Sequence, residues 1–144
     1  MKRIKNQLNH SFDWIIGIAN GGIIPALYLC YELKTNALDT LCLSFYDDEE
    51  KRETFTIKEK DYSHIKQKNI LLVDDLVDSG VTLIKAISYL KEFSPALIET
   101  ATVYKKASST MEPDYYIFDA PYDKWIIFPW MEESTYSSIE GQFK

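Results

Sequence analysis

Residues 71–83 read LLVDDLVDSGVTL. An apolar run ends at two adjacent acids, Asp74 and Asp75; Asp78 follows, and then Ser79, Gly80, Val81 and Thr82. Ile70–Val73 has the length and composition of a strand covered on both faces. Leu83, Ile84, Ile87 and Leu90 recur at helical spacing, so a helix is expected to begin just after Gly80. The three acids are thus expected at the strand's carboxyl end, where their mutual repulsion needs compensation. A bound ligand would provide it. Asp74 and Asp75 can each accept hydrogen bonds from vicinal sugar hydroxyls. Gly80 permits close backbone approach or a positive φ. The amides of such a turn, with a helix N-terminus and the Ser79 and Thr82 hydroxyls, suit a phosphate. A diol beside a phosphate describes a ribose 5-phosphate. The same residues also suit a plain strand-to-helix turn with Asp78 or Ser79 as N-cap, and Ser-Gly-Val-Thr alone leaves both readings open.

Working outward, Trp14–Ile18 reads as another doubly buried strand, broken by Asn20-Gly21-Gly22. Pro25 sits as a first-turn proline does, and a helix is expected over Ala26–Leu33. Leu38–Ser44 and Ile98–Tyr104 read as strands, and shorter candidates lie at Tyr115–Phe118 and Trp125–Phe128. Phe45–Lys60, with DDEEKRE at its centre, reads as a charged, mobile excursion or, more plainly, as a solvated hairpin tip. The order strand, helix, strand, strand, helix, strand predicts an α/β domain with a mainly parallel central sheet flanked by helices. Such sheets bind ligands beyond the carboxyl ends of their strands, where the Gly-Gly turn and the acidic loop both fall.

Composition narrows the function. The chain has 144 residues, 46% of them hydrophobic, which suits one domain around one core. A net charge of -6 speaks against nucleic-acid or membrane-surface binding. An anionic ligand must then be held by backbone dipoles, a metal ion or a few local cations. Cys30 and Cys42 form no CxxC pair and read as reduced, half-buried residues of a cytoplasmic protein. His10 and His64 have no metal-ligand spacing and read as surface residues. Trp14–Cys30 is apolar enough to suggest a membrane span, but Asn20-Gly21-Gly22 and Pro25 interrupt it. GxxxxGK(S/T), GxGxxG and calcium-loop spacings are absent.

LLVDDLVDSGVTL closely resembles the signature that binds 5-phosphoribosyl-1-pyrophosphate (PRPP) in type I phosphoribosyltransferases. IIGIANGGIIPALYLCYEL resembles that family's pyrophosphate loop and following helix. LDTLCLSFYDDEEKRE resembles the strand and flexible catalytic loop of the bacterial xanthine-guanine subfamily, and ATVYKK and DKWIIFPW its purine-binding strand and hood. The resemblance implies a single domain over 1–144, with a flexible loop at about 45–60 and a small hood at about 105–144. It implies transfer of the 5-phosphoribosyl group from PRPP to N9 of a 6-oxopurine in purine salvage, with Mg2+ as cofactor and a homo-oligomeric assembly.

Residue by residue, it implies that Asp74 and Asp75 face the ribose hydroxyls and the metal, and that Asp78 lies near purine N7 as acid or base. Ser79, Gly80, Val81 and Thr82 form the 5′-phosphate cradle; Asn20, Gly21 and Gly22 meet pyrophosphate. Tyr46 and Arg52 belong to the loop that closes over PRPP. Lys106 donates to the 6-oxo group, Trp125 stacks on the base, and the backbone of Ile126 reads its edge. Lys105 is adjacent, leaving a one-residue shift of register open.

Three departures stand out. Asn20 replaces the usual arginine, removing a charge-assisted contact of roughly 1.5–3 kcal/mol. Phe45 replaces a small polar residue, and Met131 occupies the place of an acid, leaving Glu132 as the metal-side candidate. Only about a dozen residues precede Trp14, where the subfamily has an additional helix. Asn20 and Phe45 motivate a second reading, a non-catalytic PRPP or nucleotide sensor on the same fold; a third is a phosphoribosyltransferase for another base.

Overall fold

The computed structural model describes residues 1–48 and 52–131, with side chains described for all of these but 44–48 and 52–55. The strands are β1 (Trp14–Ala19), β2 (Leu38–Asp48), β3 (Arg52–Ile57), β4 (Asn69–Val77), β5 (Leu97–Lys106) and β6 (Tyr115–Ala120). The helices are α1 (Lys2–Lys5), α2 (Ile23–Leu33) and α3 (Val81–Lys91). One sheet in the order β3-β2-β1-β4-β5-β6 holds all six strands, and only the β2–β3 pair is antiparallel.

The apolar runs are strands buried on both faces, as their composition predicts. Ile15, Leu71, Val73 and Ala101 face α2, where Ala26, Leu29 and Cys30 pack together with Ile4 of α1. Ile16, Ile18, Ile70 and Leu72 face α3 and its Leu83, Ala86 and Leu90. Each fully buried aliphatic side chain contributes about 1.5–3 kcal/mol, which overrides the modest helix propensity of α3's β-branched residues. Ile84, expected on that buried face, is 51% exposed; Ala86 takes the inner position instead.

The connections β1–α2–β2 and β4–α3–β5 run in opposite directions across the sheet. Their divergence opens a crevice between β1 and β4, the switch point at which ligands bind in open α/β sheets. Pairing of β1 with β4 ends at Gly17↔Val73, whereas β4 stays paired with β5 as far as Val77↔Lys105. Asp74 and Asp75 therefore lie within β4, not beyond its end as expected, and β5 supplies the pairing that extends the strand.

Other expectations change with tertiary context. The charged excursion contains the β2–β3 hairpin, in register from Leu43↔Ile57 to Asp48↔Arg52. Its return segment is tied down by Tyr62, which is fully buried, donates to Thr40 O at 2.6 Å and lies edge-on to Tyr89 and Phe93. Burial raises the Tyr62 phenol well above its ordinary value. Trp125–Phe128 forms no strand: β6 is the sheet's edge, and Phe128 packs its ring against Tyr104 and Trp130. Tyr115–Ala120 joins the main sheet as β6, and after it Trp125, Ile126, Phe128 and Met131 line a cavity with Asp75 and Asp78.

Cys30 is buried and Cys42 exposed, so neither is half-buried. His64 is more than a surface residue: its ring meets the edge of Trp14, and Nε2 lies 3.3 Å from Asp39. The apolar stretch from Trp14 to Cys30 is β1, a turn and most of α2. Among the described residues no helix is long and apolar enough to cross a membrane.

Candidate active site

The Gly-Gly turn and the acid pair, over fifty residues apart in sequence, meet at the crevice. Gly21 lies directly beneath the Asp75 carboxylate; a Cβ there would fall 2.3 Å from Asp75 Oδ2. Asp75 N donates to Asp74 Oδ1 at 2.9 Å, so the two acids share one locked conformation. Asp74 is only 8% exposed. Burial pushes its carboxyl well above the usual range, and the neighbouring Asp75 adds to the rise. Burial also raises Asp75, against opposing hydrogen bonds led by the Leu76 amide. A buried and a half-buried carboxylate this close need cations or hydroxyl donors from a ligand to be ionised comfortably.

Next to them the chain turns into α3 through Gly80, whose φ is +90°. Gly80, not Asp78 or Ser79, is the N-cap. Ser79 O accepts from Thr110 N and from Thr110 Oγ1 at 2.8 Å, and Met111 lies against Gly80. The turn after β5 thus braces the 79–82 loop from behind. Nothing in its composition announced this, although the Ser108-Ser109-Thr110 run is rich in turn-forming hydroxyls. A cavity of about 80 Å³ is lined by Asp74, Leu76, Val77, Asp78, Ser79, Gly80, Thr82 and Leu83. Val81, expected in the same cradle, is 42% exposed, and its amide donates to Ser79 Oγ at 3.4 Å. Gly80→Ala is expected to destabilise the fold by about 1–3 kcal/mol and to raise any phosphate-ester KM. The Cβ would meet Met111 Cβ at 2.6 Å in a left-handed conformation. Urea unfolding and substrate titration of the variant measure both effects.

A second cavity, of about 180 Å³, is lined by Asp75, Leu76, Asp78, Lys106, Trp125, Ile126, Phe128 and Met131. Lys106 Nζ lies 2.8 Å from Asp78 Oδ2. The lysine is 8% exposed, held by its buried stem with its charge satisfied by the aspartate. Lys105 turns the other way, toward Glu112 and over the Tyr116 ring. Glu112 accordingly raises the Lys105 ammonium pKa. Leu76 and Asp78 line both cavities, which makes them neighbouring compartments of one cleft. Leu76 and Phe128 were not named as site residues in the sequence reading, and Met131 entered it only as the residue in place of an acid; the place of Phe128 and Met131 here depends on the fold of 121–131.

The glycine turn differs from expectation in one respect. Gly22 N–H already donates to Ile18 O at 2.8 Å and Ile23 N–H to Asn20 O, so these amides are spent inside the chain. Asn20 is exposed at the end of β1, and its peptide bond with Ala19 is cis. Tyr46 and Arg52 fall on β2 and β3 with side chains outside the described residues, and Glu132 lies outside them altogether.

Mg2+ can be tested against the donor set. Among the described residues no cluster of three or more His, Cys, Asp or Glu side chains is formed. Mg2+ is usually held by one or two carboxylates, with substrate oxygens and water completing its shell. Asp74 and Asp75 fit that requirement and would hold the ion only together with a substrate.

Comparison with known proteins agrees with this geometry. A family model described as a phosphoribosyl transferase domain matches residues 1–137. A xanthine-guanine phosphoribosyltransferase of Desulfotalea psychrophila is 37% identical over 128 residues, 88% of this chain and 75% of that protein. The crystal structure of a purine phosphoribosyltransferase from Pyrococcus horikoshii superposes with a TM-score of 0.78 at 34% identity, covering 91% of this chain and 83% of that one. A Helicobacter pylori xanthine-guanine-hypoxanthine phosphoribosyltransferase shares the fold, with a TM-score of 0.75 at 22% identity over 97% of this chain and 90% of the other. The likeness runs through most of the sequence, and the chain belongs to the phosphoribosyltransferase family.

Proposed function

We propose that the protein transfers the 5-phosphoribosyl group of PRPP to N9 of a 6-oxopurine, releasing pyrophosphate. The observation that carries this reading is the Lys106–Asp78 pair at 2.8 Å inside a cavity walled by Trp125 and Ile126, one compartment away from the Ser79–Thr82 loop. The phosphate ester occupies the loop, where the N-terminus of α3 and the Ser79 and Thr82 hydroxyls meet it. Asp74 and Asp75 accept from the ribose hydroxyls. The base enters between Lys106 and Asp78 and exchanges their mutual contact for its own: O6 accepts from Lys106, and N7–H donates to Asp78. Trp125, 55% exposed before binding, supplies a ring face for stacking.

In the reaction N9 forms its bond to C1 as the C1–oxygen bond breaks. Pyrophosphate leaves with the electron pair and the N7 proton passes to Asp78. Asp74 and Asp75 would hold Mg2+ together with the substrate, and the ion would supply positive charge against the pyrophosphate, which would let an acidic protein bind so anionic a molecule. Adenine is excluded because its 6-amino group would face the Lys106 donors.

The test is incubation with PRPP, Mg2+ and hypoxanthine, guanine, xanthine or adenine, following nucleotide and pyrophosphate. Nucleotide is expected from one or more 6-oxopurines and at least 100-fold less from adenine. Tight nucleotide binding without turnover of any base would instead make the chain a sensor, the role that Asn20 motivates. Light scattering of the same preparation tests the homo-oligomer that the family resemblance implies.

A further inference from the structure

Three charged side chains, Asp75, Asp78 and Lys106, line the larger cavity. Asp78 and Lys106 pair with each other, and among the described residues the rest of the lining is apolar: Leu76, Trp125, Ile126, Phe128 and Met131. Met131 belongs to that apolar lining. Its Sδ accepts from Phe128 N at 3.2 Å while its own N–H donates to Phe128 O at 3.0 Å. Both backbone polar groups of Phe128 are thereby engaged within the 128–131 turn. Phe128 itself is 5% exposed and stacked on Trp130, which holds the turn in place.

A 6-oxopurine that turns O6 and N7 toward Lys106 and Asp78 directs C2 to the far side of its six-membered ring. The three candidate bases differ at that atom: hypoxanthine has C–H, guanine an amino donor and xanthine a carbonyl acceptor. A thioether is no donor and only a weak acceptor, so burying either polar substituent against it forfeits hydrogen bonds to water without an equal return. Reaching the Phe128 amide would require breaking its contact with Met131.

We infer that Met131 is a specificity-determining residue and that the site prefers hypoxanthine to guanine and xanthine. The inference rests on the base orientation proposed above. An apolar wall discriminates against one added polar group by about 10- to 100-fold in kcat/KM.

The decisive measurement is kcat/KM for the three bases at saturating PRPP and Mg2+, in the wild type, Met131→Gln and Met131→Leu. Hypoxanthine is expected to lead in the wild type by that factor. Met131→Gln, which places a donor and an acceptor on a side chain of similar length, is expected to narrow the ratio to within a few-fold. Met131→Leu is expected to keep the ratio even if all three rates fall together. Guanine or xanthine handled as well as hypoxanthine by the wild type overturns the inference, and so does a ratio that Met131→Gln leaves unmoved. If Met131→Gln does not fold, the wild-type ratio decides. Failure to turn over any base is a different outcome: it removes the phosphoribosyl-transfer reading itself.

Discussion

Asp78→Asn is expected to lower kcat by about 10²–10⁴ while leaving PRPP affinity nearly unchanged. Asparagine keeps the shape of the side chain and still offers Lys106 an acceptor oxygen at the same place, so the walls of both compartments are preserved. It cannot take a proton from N7. A group that acts only as the reaction proceeds lowers kcat and kcat/KM together, without raising the substrate's KM. Calorimetric titration with PRPP and Mg2+, beside single-turnover kinetics with the best base, separates binding from chemistry. Turnover within tenfold of wild type would remove Asp78 from proton transfer and leave it as a partner that positions Lys106.

Replacing the acid pair, Asp74→Asn with Asp75→Asn, should change activity and stability in opposite directions. Loss of charge-assisted hydrogen bonds to the ribose hydroxyls, each about 1.5–3 kcal/mol, predicts a fall in kcat/KM of about 10²–10⁴. The free protein should become more stable, because the variant no longer buries two like charges at Asp74 and Asp75. With the crevice open to water, the gain is about 1–2 kcal/mol, or roughly 3–8 °C in Tm.

The pH dependence follows from the direction of the shifts. Burial raises both carboxyls in the native state, so the folded chain retains protons that the unfolded chain releases from about pH 4 upward. Stability contributed by the protonated pair is present below the unfolded value and is lost as pH rises toward the raised native values. Thermal melts of the wild type should therefore fall with pH across that window, whereas the double variant should lack this component. A variant that melts below wild type at neutral pH would show that the pair stabilises the free fold.

Much of the architecture could be read from the chain itself. Ile15–Ile18 and Ile70–Val73 are apolar at consecutive positions, and only a strand covered on both faces buries every one of them. Pro25, Leu83 and Leu90 announce helices because their constraints act within a turn or two of backbone. The Asp74-to-Thr82 spacing carried the phosphate and sugar reading for the same reason: all its donors and acceptors belong to one short stretch of chain, from the end of β4 to the start of α3. Trp125–Phe128 misled because apolar content alone does not make a buried strand. Of the four only Phe128 is buried, under the rings of Tyr104 and Trp130, while Trp125 and Ile127 stay exposed.

The active-site geometry belongs to longer-range contacts. Lys106 reaches Asp78 because β4 and β5 pair with Val77 opposite Lys105, and no local pattern distinguished Lys106 from its neighbour. Gly21 lies under Asp75 because β1 stops pairing at Val73 and turns away while β4 continues. Met131 faces the base compartment only because the 128–131 turn folds back on Phe128. Periodicity and backbone preference act over a few residues and settle which elements form. Strand order and register bring together residues tens of positions apart, and that distance is where the chemistry of this cleft is assembled.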